Sequence, residues 1–579
     1  MDAPLWVGEL KLNIMKRLLL LTSAIMALAF DAAAQAPKGV AKIQKAIVSV
    51  NTYDKKGDLL NSGTAFYIGA NGEAIADYSL FKNAYKATVI DINGKQADVD
   101  CILGANDTYS VIRFRVNTKG NATLTCAKDT LTSQSQVFVV PFSKEKLKQC
   151  RNTTIESQTR LNDKYAYYTL ASDLGEENNG NPLFNEKGEL IGILQPSLKD
   201  KGYALDINFR EELKIKAISS NSENMALNNV KISKGVPESV EEALVYTYFK
   251  SRSAGNDEYL DIMNRFIATY PDNAEGYLRR CTPYIDLCEF DKADADLNKY
   301  LSLAKDKASA YYNSAQTLYN KLTYQKEPAY DKWTYDLAVE HIDKSIDLYN
   351  GNTEKLADSK ILKAQILSGK KDYDGAVKIY EQLNADSATT SPAILYAMSM
   401  VCEARGDSTS VLIALMDSAI SKFGDPLPGD AANYVLRRGR LYAQIDKNRL
   451  AVQDYNQYCY LVNNKVSDLF YYDRSQIELK ARLFQQAYDD INTAISMNPN
   501  KVDYYIEKAA MCLRFGYNDE SIEACKIVLS ANDKDVDALR ILGFAQIQAG
   551  KKDEGKVNLQ RAIDLGDENA KEIMEKYCK

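Results

Sequence analysis

Apolar and polar positions along the chain follow two different rhythms. Between residues 40 and 210 the rhythm is short and alternating, as in Ala46-Ile47-Val48-Ser49-Val50 and Ala87-Thr88-Val89-Ile90. Turn signals such as Ala70-Asn71-Gly72, Ile92-Asn93-Gly94 and Glu186-Lys187-Gly188 separate these stretches. Alternation sends successive side chains to opposite faces of a strand, and Asn-Gly or Lys-Gly supplies the backbone freedom of a tight turn. The pattern predicts an all-β region, sandwich or barrel. From Val240 onward the rhythm is helical, and it repeats.

The repeat is visible residue by residue. Tyr471, Tyr505 and Leu539 are 34 apart, as are Ser475, Ala509 and Gly543. The same register gives Ala487, Ser521 and Gly555, then Ala494, Val528 and Ala562, with Pro499 closing the first of these units. Upstream, Tyr277, Cys281, Tyr284, Ala293, Leu297 and Tyr300 take equivalent places, and the next unit starts near Ala308. Further units fit near 357, 392 and 432. This resembles the tetratricopeptide repeat. The resemblance implies helix pairs with small residues where the two helices cross and aromatics between units, stacked because no pair buries its apolar face alone. It predicts an all-α solenoid of about eight units within 240–579, with residues 319–337, containing Pro328 and Trp333, as an insertion. Such arrays present a groove to peptides or partner helices.

Within the β region three landmarks keep a fixed order. Gly63-Thr64-Ala65-Phe66-Tyr67-Ile68 leads into Asn71-Gly72-Glu73-Ala74-Ile75; Gly104-Ala105-Asn106-Asp107 precedes Ser110-Val111-Ile112-Arg113-Phe114. Asn178-Asn179-Gly180-Asn181-Pro182-Leu183 leads into Gly188-Glu189-Leu190-Ile191-Gly192-Ile193, and Tyr203-Ala204-Leu205-Asp206-Ile207 follows as the late strand. Together they resemble the trypsin-like serine proteases, above all the bacterial Deg-type enzymes. The resemblance implies a double β-barrel over 37–218. A polar stretch at 219–239, with Ser219-Ser220-Asn221-Ser222 and Pro237, then reads as a short hinge before the helices.

Carried over residue by residue, the resemblance places Ser79 where the family has its catalytic His, inside Ala76-Asp77-Tyr78-Ser79-Leu80. Ser110 stands where it has Asp, Asn179 where it has the nucleophilic Ser, and Asn181 replaces a glycine two residues beyond. A serine attacks only when an adjacent base takes its proton. The chain has one His, His341, in Ala338-Val339-Glu340-His341-Ile342 of a repeat helix, where it reads as a packing or surface residue. A Ser–Lys pair near Ser79, with Lys82 or Lys86, and a carboxylate pair of Asp77 and Asp107 are the alternatives; charged residues in such loops more often solvate or cap.

The N-terminus adds an address. Lys16 and Arg17 precede Leu18-Leu19-Leu20-Leu21, the apolar run continues to Phe30, and Ala32-Ala33-Ala34 supplies a cleavage site, so 1–34 reads as a signal peptide with Met15 as the true start. Among 579 residues the balance of charge is only -6, with no dense Lys/Arg block, which argues against nucleic acid as a partner. The Cys spacing has no metal pattern, and no later segment has the length and apolarity of a membrane span. The expectation is an exported, non-enzymatic interaction protein, periplasmic or envelope-associated, with no cofactor and no metal. Its partners are proteins or peptides held in the repeat groove, with the pseudoprotease cleft as a candidate second surface. The alternatives are an unorthodox trypsin-like serine peptidase carrying tetratricopeptide repeats, and a β domain that serves only as a structural cap.

Overall fold

The computed structural model describes residues 34–35, 37, 39–145, 147, 149–198, 201–349 and 353–578. Residues 1–33 of the expected signal peptide (1–34), Met15 among them, lie outside the described residues. The chain divides into two compact units, one ending at Ala304 and the other beginning at Lys305.

In the first unit, six antiparallel strands close a barrel. They are Ile47–Tyr53 (β1), Leu59–Tyr67 (β2), Glu73–Asp77 (β3), Lys86–Ile90 (β4), Gln96–Asn106 (β5) and Val111–Val116 (β6), ordered β1-β2-β3-β6-β5-β4. Six more form a second antiparallel barrel: Gln136–Val139 (β7), Gln149–Leu161 (β8), Tyr165–Leu170 (β9), Pro182–Asn185 (β10), Leu190–Leu198 (β11) and Lys201–Asp206 (β12). Their order is β8-β9-β12-β11-β10-β7, and the β7–β8 pairing closes the ring. This is the double barrel expected from the landmarks.

The strands explain how two barrels become one body. Val48, Ala65, Ala76 and Ile112 fill the first barrel, while their neighbours Ile47, Phe66, Ile75 and Val111 point the other way. Leu183, Ile191, Leu194 and Ala204 fill the second, and Phe184, Leu190, Ile193 and Leu205 turn outward to meet the first barrel's outward set. Period-2 geometry therefore lines two interiors and one shared seam.

The 219–239 segment corrects the expectation of a hinge. Asn221–Asn228 is helical, and Ala226, Val230 and Ile232 are buried in the first barrel's core. Backbone bonds continue the contact: Ile102 N donates to Ser233 O at 2.9 Å and Gly235 N to Ile102 O at 2.8 Å. Polar composition misled because three well-placed apolar side chains suffice to fold so short a segment down. The helices that follow, Val240–Ser253, Asn256–Thr269, Ala274–Asp286 and Phe290–Leu303, belong to the same compact unit. Arg265 pairs there with Asp100 at 3.1 Å, and Arg113 bridges Glu73 at 2.8 Å and Glu238 at 3.1 Å.

The second unit contains fifteen helices among the described residues, from Lys307–Tyr324 to Glu568–Tyr577. Small residues sit where paired helices approach: a Cβ on Gly555 would lie 2.5 Å from the Gly543 carbonyl oxygen. The expected insertion is partly helical, since Lys307–Tyr324 runs on before the turn; Lys321 Nζ binds the carbonyls of Gln325 and Pro328, each at 2.7 Å, and Trp333 is buried.

A clasp recurs within the pairs. Arg280, Arg438 and Arg474, each on the first helix of a pair, bind Asp296, Asp454 and Asp490 on the second through two bonds of 2.6–2.9 Å. Each Asp lies sixteen residues after its Arg and is buried. Planar guanidinium and carboxylate match as forks, which sets the crossing of the two helices. In the pair containing Asp468–Lys480 and Phe484–Met497, Glu478 is buried beside the clasp; desolvation and the charge of Asp490 push its carboxyl up to about 8.

Two outcomes follow for unfolding in urea. Arg474→Ala leaves Asp490 buried without its partner and is expected to cost about 3–5 kcal/mol, seen as a lower midpoint for the second unit. Between its ordinary value of 4.5 and about 8, Glu478 holds a proton in the folded state that the unfolded chain has released. Its contribution is therefore present at acid pH and lost as pH rises through that window, and Glu478→Gln is expected to flatten the decline.

Candidate active site at the seam between the barrels

Strand β3 ends at Asp77, and the chain turns at once into a single 3-10 turn, Tyr78–Phe81. Asp77 caps that turn, its Oδ1 accepting from Ser79 N at 2.7 Å. Tyr78 and Phe81 are fully buried and pin the turn from beneath. Phe81 packs on Phe114 with ring centroids 5.0 Å apart, and the Tyr78 hydroxyl donates to Ala226 O at 3.0 Å. The supposed hinge thus supports the site. With its neighbours held inward, Ser79 is left exposed.

Ser110 ends the turn between β5 and β6 with a left-handed backbone, φ 44°. That conformation is uncommon for a residue with a side chain. It aims both polar groups of Ser110 at the neighbouring turn: its carbonyl accepts from Tyr78 N at 3.1 Å, and its Oγ donates to Asp77 Oδ1 at 2.6 Å. From the second barrel comes a 3-10 turn, Glu176–Asn178, followed by Asn179 and Gly180. Gly180 has φ 78°, and a Cβ there would stand 2.9 Å from the Cβ of Asp77. Only glycine allows the second barrel's turn to seat so closely on the first barrel's carboxylate.

The structure therefore brings the turns bearing Ser79, Ser110 and Asn179 together, and the residue on which they meet is Asp77. The sequence offers Asp77 as a partner for Asp107 or as a capping or solvated carboxylate; it caps the turn. Asp107 is instead paired with Lys82 at 2.8 Å. An Asp directly after a strand is consistent with an Asx turn, accepting from the amide two residues on, but that position does not show that it also accepts from Ser110.

The chemistry of each group follows from its neighbours. The hydrogen bond to Asp107 raises the Lys82 pKa and keeps it protonated. A lysine acting as a base needs the opposite shift. Lys86 forms an exposed pair with Asp98 at 3.2 Å. Neither supports a Ser–Lys pair. Around Asn179 the amides of 178, 179, 180 and 181 all donate internally, to Gly175, Glu176, Leu194 and Asn178, at 3.0 Å each. Amides stabilise a developing oxyanion only when they point at it; a bound carbonyl reaches these only after the turn opens. His341 lies in the second unit on Tyr335–Leu348, buried, with Nδ1 2.9 Å from Ser314 Oγ. Burial, followed by the charge of Lys344, lowers its pKa. It packs and is partnered there. All ten cysteines are free thiols; burial pushes Cys101 and Cys525 up to about 12, far from reactive thiolate.

Residues 63–193 match the family model of the trypsin-like peptidase domain. The matched span opens at Gly63 in β2 and closes at Ile193 in β11, so it takes in all three turns of the seam. The chain is also similar to the anti-sigma-I factor RsgI9 of Acetivibrio thermocellus, at 24% identity over 154 residues, which is 26% of this chain and 21% of that protein. Among solved structures, it is similar to a serine endoprotease from Yersinia pestis at 16% identity with a TM-score of 0.26, covering 31% of this chain and 66% of that one. The chain thus spans about a fifth of the anti-sigma factor and just under two thirds of the endoprotease.

The peptidase match overturns the expectation that this chain is not an enzyme, because it points to a protease. That expectation rests on three side chains and a single His. The matched span takes in the strands from β2 to β11 and the turns between them.

Asp77→Ala removes the cap of the Tyr78 turn and the acceptor for Ser110 together. The expected cost is about 2 kcal/mol, measured as a lower unfolding midpoint of the first unit. Ser110→Ala, which removes one of the two bonds, is expected to cost less.

Proposed function

We propose that this is an exported protein that handles polypeptides, receiving an extended segment at the seam between the barrels and holding protein partners on its helix pairs. One observation carries the reading: inside a region that matches a peptidase family, the Gly180 turn of one barrel seats on Asp77 of the other, gathering three turns at one place. Sheet-based recognition of this kind uses main-chain hydrogen bonds to a peptide strand, with side chains entering flanking pockets. Ser79, Ser110 and Asn179 supply hydroxyl and amide groups for such contacts. Export is supported by Lys16-Arg17 and the apolar run behind them.

A hydrolytic reading has its own observation. Ser110 Oγ, 2.6 Å from Asp77 Oδ1, is a hydroxyl already bonded to a carboxylate that can accept its proton. On this reading Ser110 is the nucleophile and Asp77 the general base, with the Glu176–Asn179 turn opening to offer its amides to the oxyanion. Binding and hydrolysis make the same demand on the seam and differ in whether the bound peptide is cut.

Fluorescein-labelled β-casein added to the full chain reads both at once, through anisotropy and fragment size. Saturable binding is expected, and Ser79→Trp, at an exposed position, should weaken it about tenfold, the equivalent of about 1.4 kcal/mol of lost contact. Binding untouched by Ser79→Trp sinks the seam as the receiving surface. Fragments that disappear in Ser110→Ala, together with fluorophosphonate labelling of Ser110, establish the hydrolytic reading; intact casein and no label remove it.

A further inference from the structure

In the second unit, the turns of two successive helix pairs enclose a cavity of about 560 Å³. One turn joins Asp468–Lys480 to Phe484–Met497, and the other joins Val502–Phe515 to Asn518–Ala531. Its walls are aromatic. Phe484 and Phe515 have ring centroids 5.2 Å apart, and Tyr488 and Tyr517 5.8 Å apart. Phe484 remains 49% exposed and Tyr517 45%, so two large apolar faces stand open to solvent at the cavity.

Its rim is cationic. Lys480, Arg482 and Arg514 line the cavity and are exposed. None of the three forms an ion pair among the described residues, although the chain as a whole is acidic. The acids on the next helix are not paired with these three cations: Glu520 accepts from the hydroxyl of the wall residue Tyr488, and Asp519 pairs with Lys551 at 3.5 Å.

We propose that this cavity docks an acidic peptide segment carrying one aromatic anchor. The anchor enters between Phe484 and Tyr517, and its flanking carboxylates pair with Lys480, Arg482 and Arg514. An aromatic filling a desolvated pocket, ringed by charge contacts, is the usual composition of a binding hot spot. A concave aromatic pocket receives a side chain. A membrane-seeking surface would instead project its aromatics into the lipid. The inference rests on the proposal that the chain binds polypeptides, and it assigns one ligand chemistry to one place on the helix pairs.

Arg482 allows a clean test. Its backbone is left-handed, φ 61°, and the residues 34 and 68 positions later are Gly516 and Gly550, each at φ 82°. Arg482→Gly therefore installs the residue that the next two units use and relieves a conformation that disfavours a side chain. Folding is expected to hold or improve while the cation is lost.

The probe is a short fluorescein-labelled peptide of Asp and Glu residues with one central Trp, titrated into the full chain. Saturable binding is expected, weakened about tenfold by Arg482→Gly and by Phe484→Ala. Arg482→Gly should show no fall in melting temperature, and replacing the peptide's Trp with Ser should abolish binding. The proposal is overturned by unchanged affinity in Arg482→Gly, by equal binding of the Trp-free peptide, or by capture by phosphatidylglycerol vesicles sensitive to both substitutions while the peptide stays free. Casein binding that responds to Ser79→Trp while the acidic peptide fails to bind removes this site and leaves the seam standing.

Discussion

Strands of the first unit bury both faces. Ile75 and Ala76 are adjacent on β3, yet Ala76 points into the first barrel and Ile75 into the layer shared with the second. Phe66, Val111, Phe184, Ile193 and Leu205 complete that layer. Each is almost wholly removed from water, so joining the barrels buries apolar surface at about 25 cal/mol per Å². Everything at the candidate site depends on this seam. Asp77 is the last residue of β3, two positions beyond Ile75, and Gly180 is two before the start of β10; the layer that holds both Ile75 and Phe184 brings Gly180 onto Asp77.

The same seam explains what the sequence disclosed and what it withheld. Alternation and glycine turns marked the strands, and the three family-like motifs indicated the double barrel. The outward face of β1, β2 and β3 gives the shared layer one apolar residue each, Ile47, Phe66 and Ile75, among polar neighbours such as Ser49, Thr64 and Glu73, and nothing local marks these three as facing a second barrel. The motifs marked the turns of Ser79, Ser110 and Asn179 as neighbours. Asp77 went unrecognised as their meeting point because an Asp after a strand has the same appearance whether it only caps a turn or also accepts from a distant serine. The 219–239 stretch was misjudged for a related reason: Ser and Asn dominate it, and the burial of Ala226, Val230 and Ile232 depends on a surface built by residues more than a hundred positions earlier.

In the helices, a 34-residue register was legible because stacking imposes the same small and aromatic positions on each unit. The Arg–Asp clasps obey a fixed separation of sixteen residues, and this too stood in the sequence at 280/296, 438/454 and 474/490. It was overlooked because an Arg and an Asp at that distance on amphipathic helices resemble ordinary solvated charge. His341 shows the reverse. Its place in a repeat helix reads as that of a packing or surface residue, and it is buried and bonded to Ser314.

The seam is the proposed site of polypeptide recognition, and hydrogen–deuterium exchange of the full chain with and without saturating β-casein tests it without any substitution. Amides of the Tyr78–Phe81 turn and of residues 175–181 are expected to exchange more slowly in the complex, because a strand laid across the seam covers both turns at once. Unchanged exchange in both turns, with casein bound, would contradict the account.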